Sequence, residues 1–267
     1  MKLKFIALTA SILMISISSF GQEEKEESKD TTRISYKGKI ITIHGEGDSI
    51  EVKKDNNWDV NHWRGIEFGI NGYSTSQGFE INSDPNNVYL ELDYAKSFMI
   101  NLNILEFNQK LGTEHFRLMT GLGFRFNRYA FKSTTSTLSY NDTTIFSAPD
   151  SIKTFDKNFL NTSYISVPAY LTFMPGKDPD KSFHFSVGAV VSYRIGSRVK
   201  QKYSVDDQNR KDINRGHYHI SPFLVDASVR MGVGSFTAFA NYALTPLFEN
   251  NKGPEYYPFS AGISLNF

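Results

Sequence analysis

FRLMTGLGFRFN, Phe116–Asn127, alternates without a break. Phe116, Leu118, Thr120, Leu122, Phe124 and Phe126 stand on one side, with Arg117, Met119, Gly121, Gly123, Arg125 and Asn127 between them. Successive side chains of a β-strand point to opposite faces, so this is a strand with one apolar face and one that is small or charged. The same period runs through 66–71, 98–104, 164–173, 183–195, 223–233, 236–245 and 259–267. Across all these segments the apolar face carries no charge, although 21% of the chain is charged. The opposite face holds Glu67, Arg117, Arg125, Arg194, Asp226 and Arg230 among many Ser, Asn and Gly.

A soluble β-sandwich turns its apolar side inward and its Lys and Glu outward. Here the polar side has almost no Lys or Glu. Small residues leave room, and Arg can fork to carboxylates, which suits a confined wet interior. The pattern is therefore inverted: apolar side to lipid, polar side to a lumen.

Connection lengths support this. The links 71–97, 128–160, 197–220 and 245–258 are long, and those at 107–115, 174–182 and Gly234–Ser235 are short, in strict alternation. With both barrel ends on one side, short turns face the periplasm and long loops the exterior. The final strand, YPFSAGISLNF (Tyr257–Phe267), is expected to pair with the first, because hydrocarbon cannot satisfy an open edge. Phe267 then belongs in the aromatic belt at the periplasmic interface and offers the assembly machinery a C-terminal strand. The expected fold is all-β: an eight-stranded antiparallel up-and-down transmembrane barrel over 63–267, preceded by a short periplasmic hairpin segment. The loop stretch STTSTLSYNDTTIFS (133–147) adds two strands if it enters the bilayer and a surface hairpin if it does not.

MKLKFIALTASILMISISSFGQ opens with Lys2 and Lys4, runs apolar from Phe5 to Ile17, and reaches small residues Ser19 and Gly21. It reads as a secretory signal peptide over 1–21, so the expected location is the outer membrane after cleavage. Residues 22–62 read as a charged linker (EEKEESKD) and a small two- or three-stranded hairpin centred on 33–53. With 29 Lys+Arg against 28 Asp+Glu, nothing pulls the chain toward nucleic acid. There is no Cys, which excludes disulfides and thiolate metal sites.

The stretches HWRGIEFGING, MTGLGFRFNRYAF, SYISVPAYLTF, VGAVVSYRIGSRVK and ANYALTPLFENNKGPEYYPFSAGISLNF resemble the outer-membrane β-barrel domain of Bacteroidetes, the PorT-like porin-family group, over residues 58–267. The resemblance implies an eight-stranded outer-membrane barrel and transfers no activity.

Eight strands enclose just enough space for side chains, which argues against a diffusive pore. The six lumen charges read as a self-satisfying interior network, with guidance of a solute as the alternative. A lipid-modifying enzyme needs a nucleophile and base in hydrogen-bond reach. The histidines are His44, His62, His115, His184, His217 and His219, and only His184, with Ser186 two residues on, is luminal in this register. HGEGD and HYH could suggest a metal, but two alternating His with no matching carboxylate cluster read as a strand end; no cofactor is expected. The loop SRVKQKYSVDDQNRKDINRG (197–216) is either merely solvated or meets anionic lipopolysaccharide phosphates. The expected role is structural or surface-binding without catalysis, with outer-membrane lipid and lipopolysaccharide as partners. A narrow pore or a transport or secretion accessory is the runner-up.

Overall fold

The computed structural model describes residues 31–36, 39–44, 50–54, 62–75, 78, 85–113, 115–150, 153–176, 182–205 and 208–267. The expected signal peptide and the EEKEESKD run lie outside the described residues. The chain divides into two compact units between Trp58 and Asp59. In the first, β1 (Thr31–Tyr36), β2 (Lys39–His44) and β3 (Ile50–Lys54) form one antiparallel sheet in that order, the three-stranded form of the expected hairpin segment.

The second unit contains β4 (Gly65–Ser74), β5 (Phe98–Lys110), β6 (Phe116–Ala130), β7 (Ser136–Tyr140), β8 (Ile145–Pro149), β9 (Phe155–Phe173), β10 (Phe183–Val205), β11 (Gln208–Arg215), β12 (Phe223–Val233), β13 (Phe236–Ala243) and β14 (Tyr257–Asn266). Hydrogen bonding runs β10–β12–β13–β14–β4–β5–β6–β9, and β9 pairs back onto β10. Every pairing is antiparallel. This is a closed eight-stranded barrel, and the last strand seals it against the first from Tyr257↔Ser74 to Asn266↔Gly65. β7 and β8 pair only with each other, so the longest loop makes a surface hairpin and adds nothing to the ring. β9 and β10 run on past the ring, pairing as far as Tyr203↔Phe155, and β11 folds back along β10.

The alternation sets the two faces. Phe68, Phe236 and Ile263 are 53%, 66% and 60% exposed, whereas Glu67, Asp226 and Arg230 are 1%, 2% and 2% exposed. The outward apolar face of β6 runs from Phe116 to Phe126. That span is about 34 Å along the strand and, at a tilt near 40–45°, about 25 Å of height, the thickness of an outer-membrane apolar band. No described helix is long and apolar enough to cross a membrane, which says nothing of a β-barrel.

The largest apolar cluster lies outside the ring's interior, over its loop end. Tyr73, Tyr129 and Leu224 at the strand tops pack with loop residues including Leu90, Leu92, Ile220, Leu247, Phe248 and Tyr256. The β7–β8 hairpin contributes Leu138 and Ile145 to this cap, and Ile145 N–H donates to the Lys252 carbonyl (2.9 Å). Long loops thus bury apolar side chains of their own and roof the barrel.

Candidate functional site: a plugged lumen

Four of the interior charges are satisfied in two pairs. Arg125 on β6 donates to Asp226 on β12 (2.5 Å), with both side chains buried. Arg230 on β12 pairs with Glu67 on β4. The Glu67 carboxylate also accepts from Asn101 (2.6 Å) and Asn103 (2.9 Å) on β5. A neutral chain crosses beside them: the Tyr170 hydroxyl bonds Ser228 (2.6 Å), Ser228 donates to Asn241 (2.6 Å), and Asn241 donates to Ser260 (3.1 Å). Burying a charge is costly unless it is paired and hydrogen-bonded, and here each carboxylate has an arginine. A cavity of about 10 Å³ beside the Arg125–Asp226 pair has room for one water.

The structure places the six interior candidates unequally. Glu67, Arg125, Asp226 and Arg230 form the two ion pairs. Arg117 is buried on the lumen face toward the short-turn end. Arg194 stands apart: it is half-exposed at the loop end, where it donates to the Ser197 hydroxyl (3.2 Å) and the His217 carbonyl (2.8 Å). The register faces it inward opposite Tyr164, but the barrel wall ends there.

Sequence reasoning missed the plug. Residues 62–64 precede β4 and lie across the short-turn end of the lumen. Glu106 accepts from the backbone N–H groups of His62 (3.1 Å), Trp63 (2.9 Å) and Arg64 (2.7 Å). The matching carbonyls are also taken: Arg230 donates to that of His62 (3.2 Å), Asn103 to that of Trp63 (2.9 Å), and Phe267 N–H to that of Arg64 (3.1 Å). Trp63 is 3% exposed and packs on Met119, Tyr170 and Val190. Its ring lies over Gly121 and Gly123, where an added Cβ would come within 3.0 Å and 2.8 Å of it.

Glu106 faces inward because β5 changes phase. The register with β6 slips between Asn103 and Leu105, a β-bulge that re-aims everything after it. The consecutive apolar pair Ile104–Leu105 was the available signal.

Among the described side chains, the candidate His184–Ser186 pairing does not form. His184 stacks on His62 (centroids 3.8 Å apart, planes at 13°) and bonds the Thr237 hydroxyl (2.8 Å). Ser186 bonds Thr172 (2.8 Å) instead of His184. In the loops, His219 bonds the Asn141 carbonyl (2.6 Å), and His217 packs edge-on against Tyr140 (4.4 Å). His115 lies in a short turn, bonded to the Met174 carbonyl (3.1 Å). Part of HGEGD falls outside the described residues, and among the described residues no group of three or more His, Cys, Asp and Glu converges as a metal site would.

A family model described as an outer membrane protein beta-barrel domain matches residues 56–249. Among solved structures, the chain is similar to Ail, the attachment invasion locus protein of Yersinia pestis, crystallised in complex with the heparin analogue sucrose octasulfate. That alignment covers 77% of this chain and 100% of that one, at 13% identity and a TM-score of 0.28. A search of curated proteins found no match.

Proposed function

The chain belongs to the outer membrane protein β-barrel domain family, and from that premise we propose a sealed outer-membrane barrel that works on its surface, as a structural or binding protein with no chemistry of its own. The observation that carries this reading is closure at both ends. Trp63 and its Glu106-anchored backbone fill the lower lumen, and the apolar loop cluster covers the upper mouth. Between them the ion pairs and the Tyr170–Ser228–Asn241–Ser260 chain occupy the space a solute would need.

Closure disfavours the pore and transport reading. The divergence of Ser186 from His184 disfavours a lipid-modifying enzyme. The finer kinship, to the PorT-like group of Bacteroidetes, belongs to the same proposal and rests on the stretches quoted at the outset. So do signal-peptide cleavage, recognition of the C-terminal strand by the assembly machinery, and contact with outer-membrane lipid and lipopolysaccharide.

Planar-bilayer recording tests it. The wild-type protein is expected to give no steady single-channel current. Sustained wild-type conductance would overturn the sealed reading.

A further inference from the structure

Above the lipid-facing band, one outward face changes character abruptly. On β6 the outward series Leu122, Phe124, Phe126 is followed by Arg128. On β9 and β10 the register pairs Lys200 with Phe159 and Lys202 with Lys157, and on β10 and β11 it pairs Arg198 with Arg215 and Lys202 with Lys211. These residues share the face of the lipid-contacting positions, because the pairing continues the barrel's register after one bulge at Arg194/Gly196. Like charges directly opposite on a sheet repel, and this face places them opposite one another at Arg198↔Arg215, Lys202↔Lys211 and Lys202↔Lys157. Among the described residues of the hairpin the acidic one, Asp212, is on the other face, paired with Lys153 (3.3 Å). In a chain of balanced charge, such a one-sided face is a matter of placement.

A cleft of about 450 Å³ opens on the outer side of β5, β6 and β9 at the foot of this face, and Arg128 and Lys157 line it. Arg128 is held flat by rings, 3.9 Å from the Phe159 centroid and 5.2 Å from that of Phe98. Its guanidinium makes no hydrogen bond or ion pair among the described residues, and its Nε is buried without one. Lys200 also lies over Phe159, at 5.5 Å. Of the other charges at the cleft, Lys96 is paired with Asp93 (2.7 Å) and Lys132 with Glu91, leaving exposed Asp156 as the opposing carboxylate. A planar fork with free N–H edges, beside ammonium groups and phenyl rings, suits a phosphate carried on an apolar body.

We infer that this cleft and the basic face above it bind the phosphate groups of an outer-leaflet glycolipid headgroup. The inference rests on the surface-binding reading and specifies its ligand chemistry. Height selects the lipid source over a soluble one: Arg128 stands one outward position above Phe126, about 7 Å along the strand from the hydrocarbon edge, where lipid phosphates lie.

The test uses the mature protein folded in zwitterionic detergent, with native mass spectrometry reading bound bisphosphorylated lipid A, dephosphorylated lipid A and free inorganic pyrophosphate. The wild type is expected to prefer the bisphosphorylated lipid. Arg128→Gln/Lys157→Gln/Lys200→Gln is expected to weaken that binding roughly a hundredfold. Lys110→Gln, at the far end of β5, is expected to leave it unchanged. If the triple variant fails to fold, Lys157→Gln/Lys200→Gln takes its place, with a loss of roughly thirtyfold expected. Equal binding of both lipids, or a variant that binds like the wild type, overturns the inference while leaving the sealed barrel intact. Pyrophosphate binding as tight as the lipid's overturns the choice of a lipid ligand. Bilayer conductance, by contrast, strikes only at the sealed reading.

Discussion

Asp226 and Arg125 show how the interior charges depend on one another. Each is tolerable in a buried lumen because the other lies 2.5 Å away. Asp226→Ala strands a guanidinium and is expected to cost about 3–5 kcal/mol in urea unfolding from lipid or detergent. Arg125→Met together with Asp226→Leu is expected to recover most of that loss, since replacing a buried ion pair with apolar residues is often neutral or stabilising. A double variant as unstable as the single one would show that the pair acts through something besides its charges. That these residues face inward was legible from the period of two alone. Which arginine meets which carboxylate was not, because Arg230 and Glu67 are 163 residues apart and meet only through the ring's closure and stagger. Glu106 was hidden for a different reason: the bulge at Ile104–Leu105 shifts the phase within its own strand, and a fixed alternation assigns it to the lipid side.

Strands and loops differed in legibility in the same way. All eight ring strands were readable because each has one face in hydrocarbon and the other in a polar interior, the strongest contrast a period of two can carry. The loops carry no period, so the cap formed by Leu90, Leu92, Ile220, Leu247 and Phe248 was invisible until tertiary structure brought those residues together. The loop elements are also tied by charge. Lys153, just before β9, contacts Asp212 on β11 at 3.3 Å and Asp150 at 3.7 Å. Its ammonium is held above the ordinary 10.5, first by the Asp212 hydrogen bond. A raised lysine contributes stability below its unfolded value and loses it as pH rises through the folded one. Cleavage of the β10–β11 hairpin by an alkaline-active protease is therefore expected to stay level from about pH 7 to 9 and to rise beyond the ordinary lysine range. Lys153→Gln is expected to bring that susceptibility down to neutral pH. A hairpin equally resistant across the whole range, in both proteins, would show that the tether contributes nothing.

The described ring reverses the usual arrangement of a folded protein: its large exposed residues include Phe, Leu, Ile and Val, and its buried ones include Glu67, Asp226, Arg125 and Arg230. The central claim is that this reversal matches hydrocarbon outside and a plugged, water-poor interior within. The chain contains no Cys, so single cysteines can carry spin labels without competition. Labels at Leu118, Leu122, Phe124 and Phe126, compared with Met119 and Asn127 in lipid-reconstituted protein, report accessibility to oxygen, which partitions into lipid, and to a water-soluble nickel chelate. The even-numbered positions are predicted to be open to oxygen and closed to the chelate, and the odd-numbered ones closed to both. Chelate access at the even-numbered positions, or free access at Met119 and Asn127, would contradict the sealed membrane barrel.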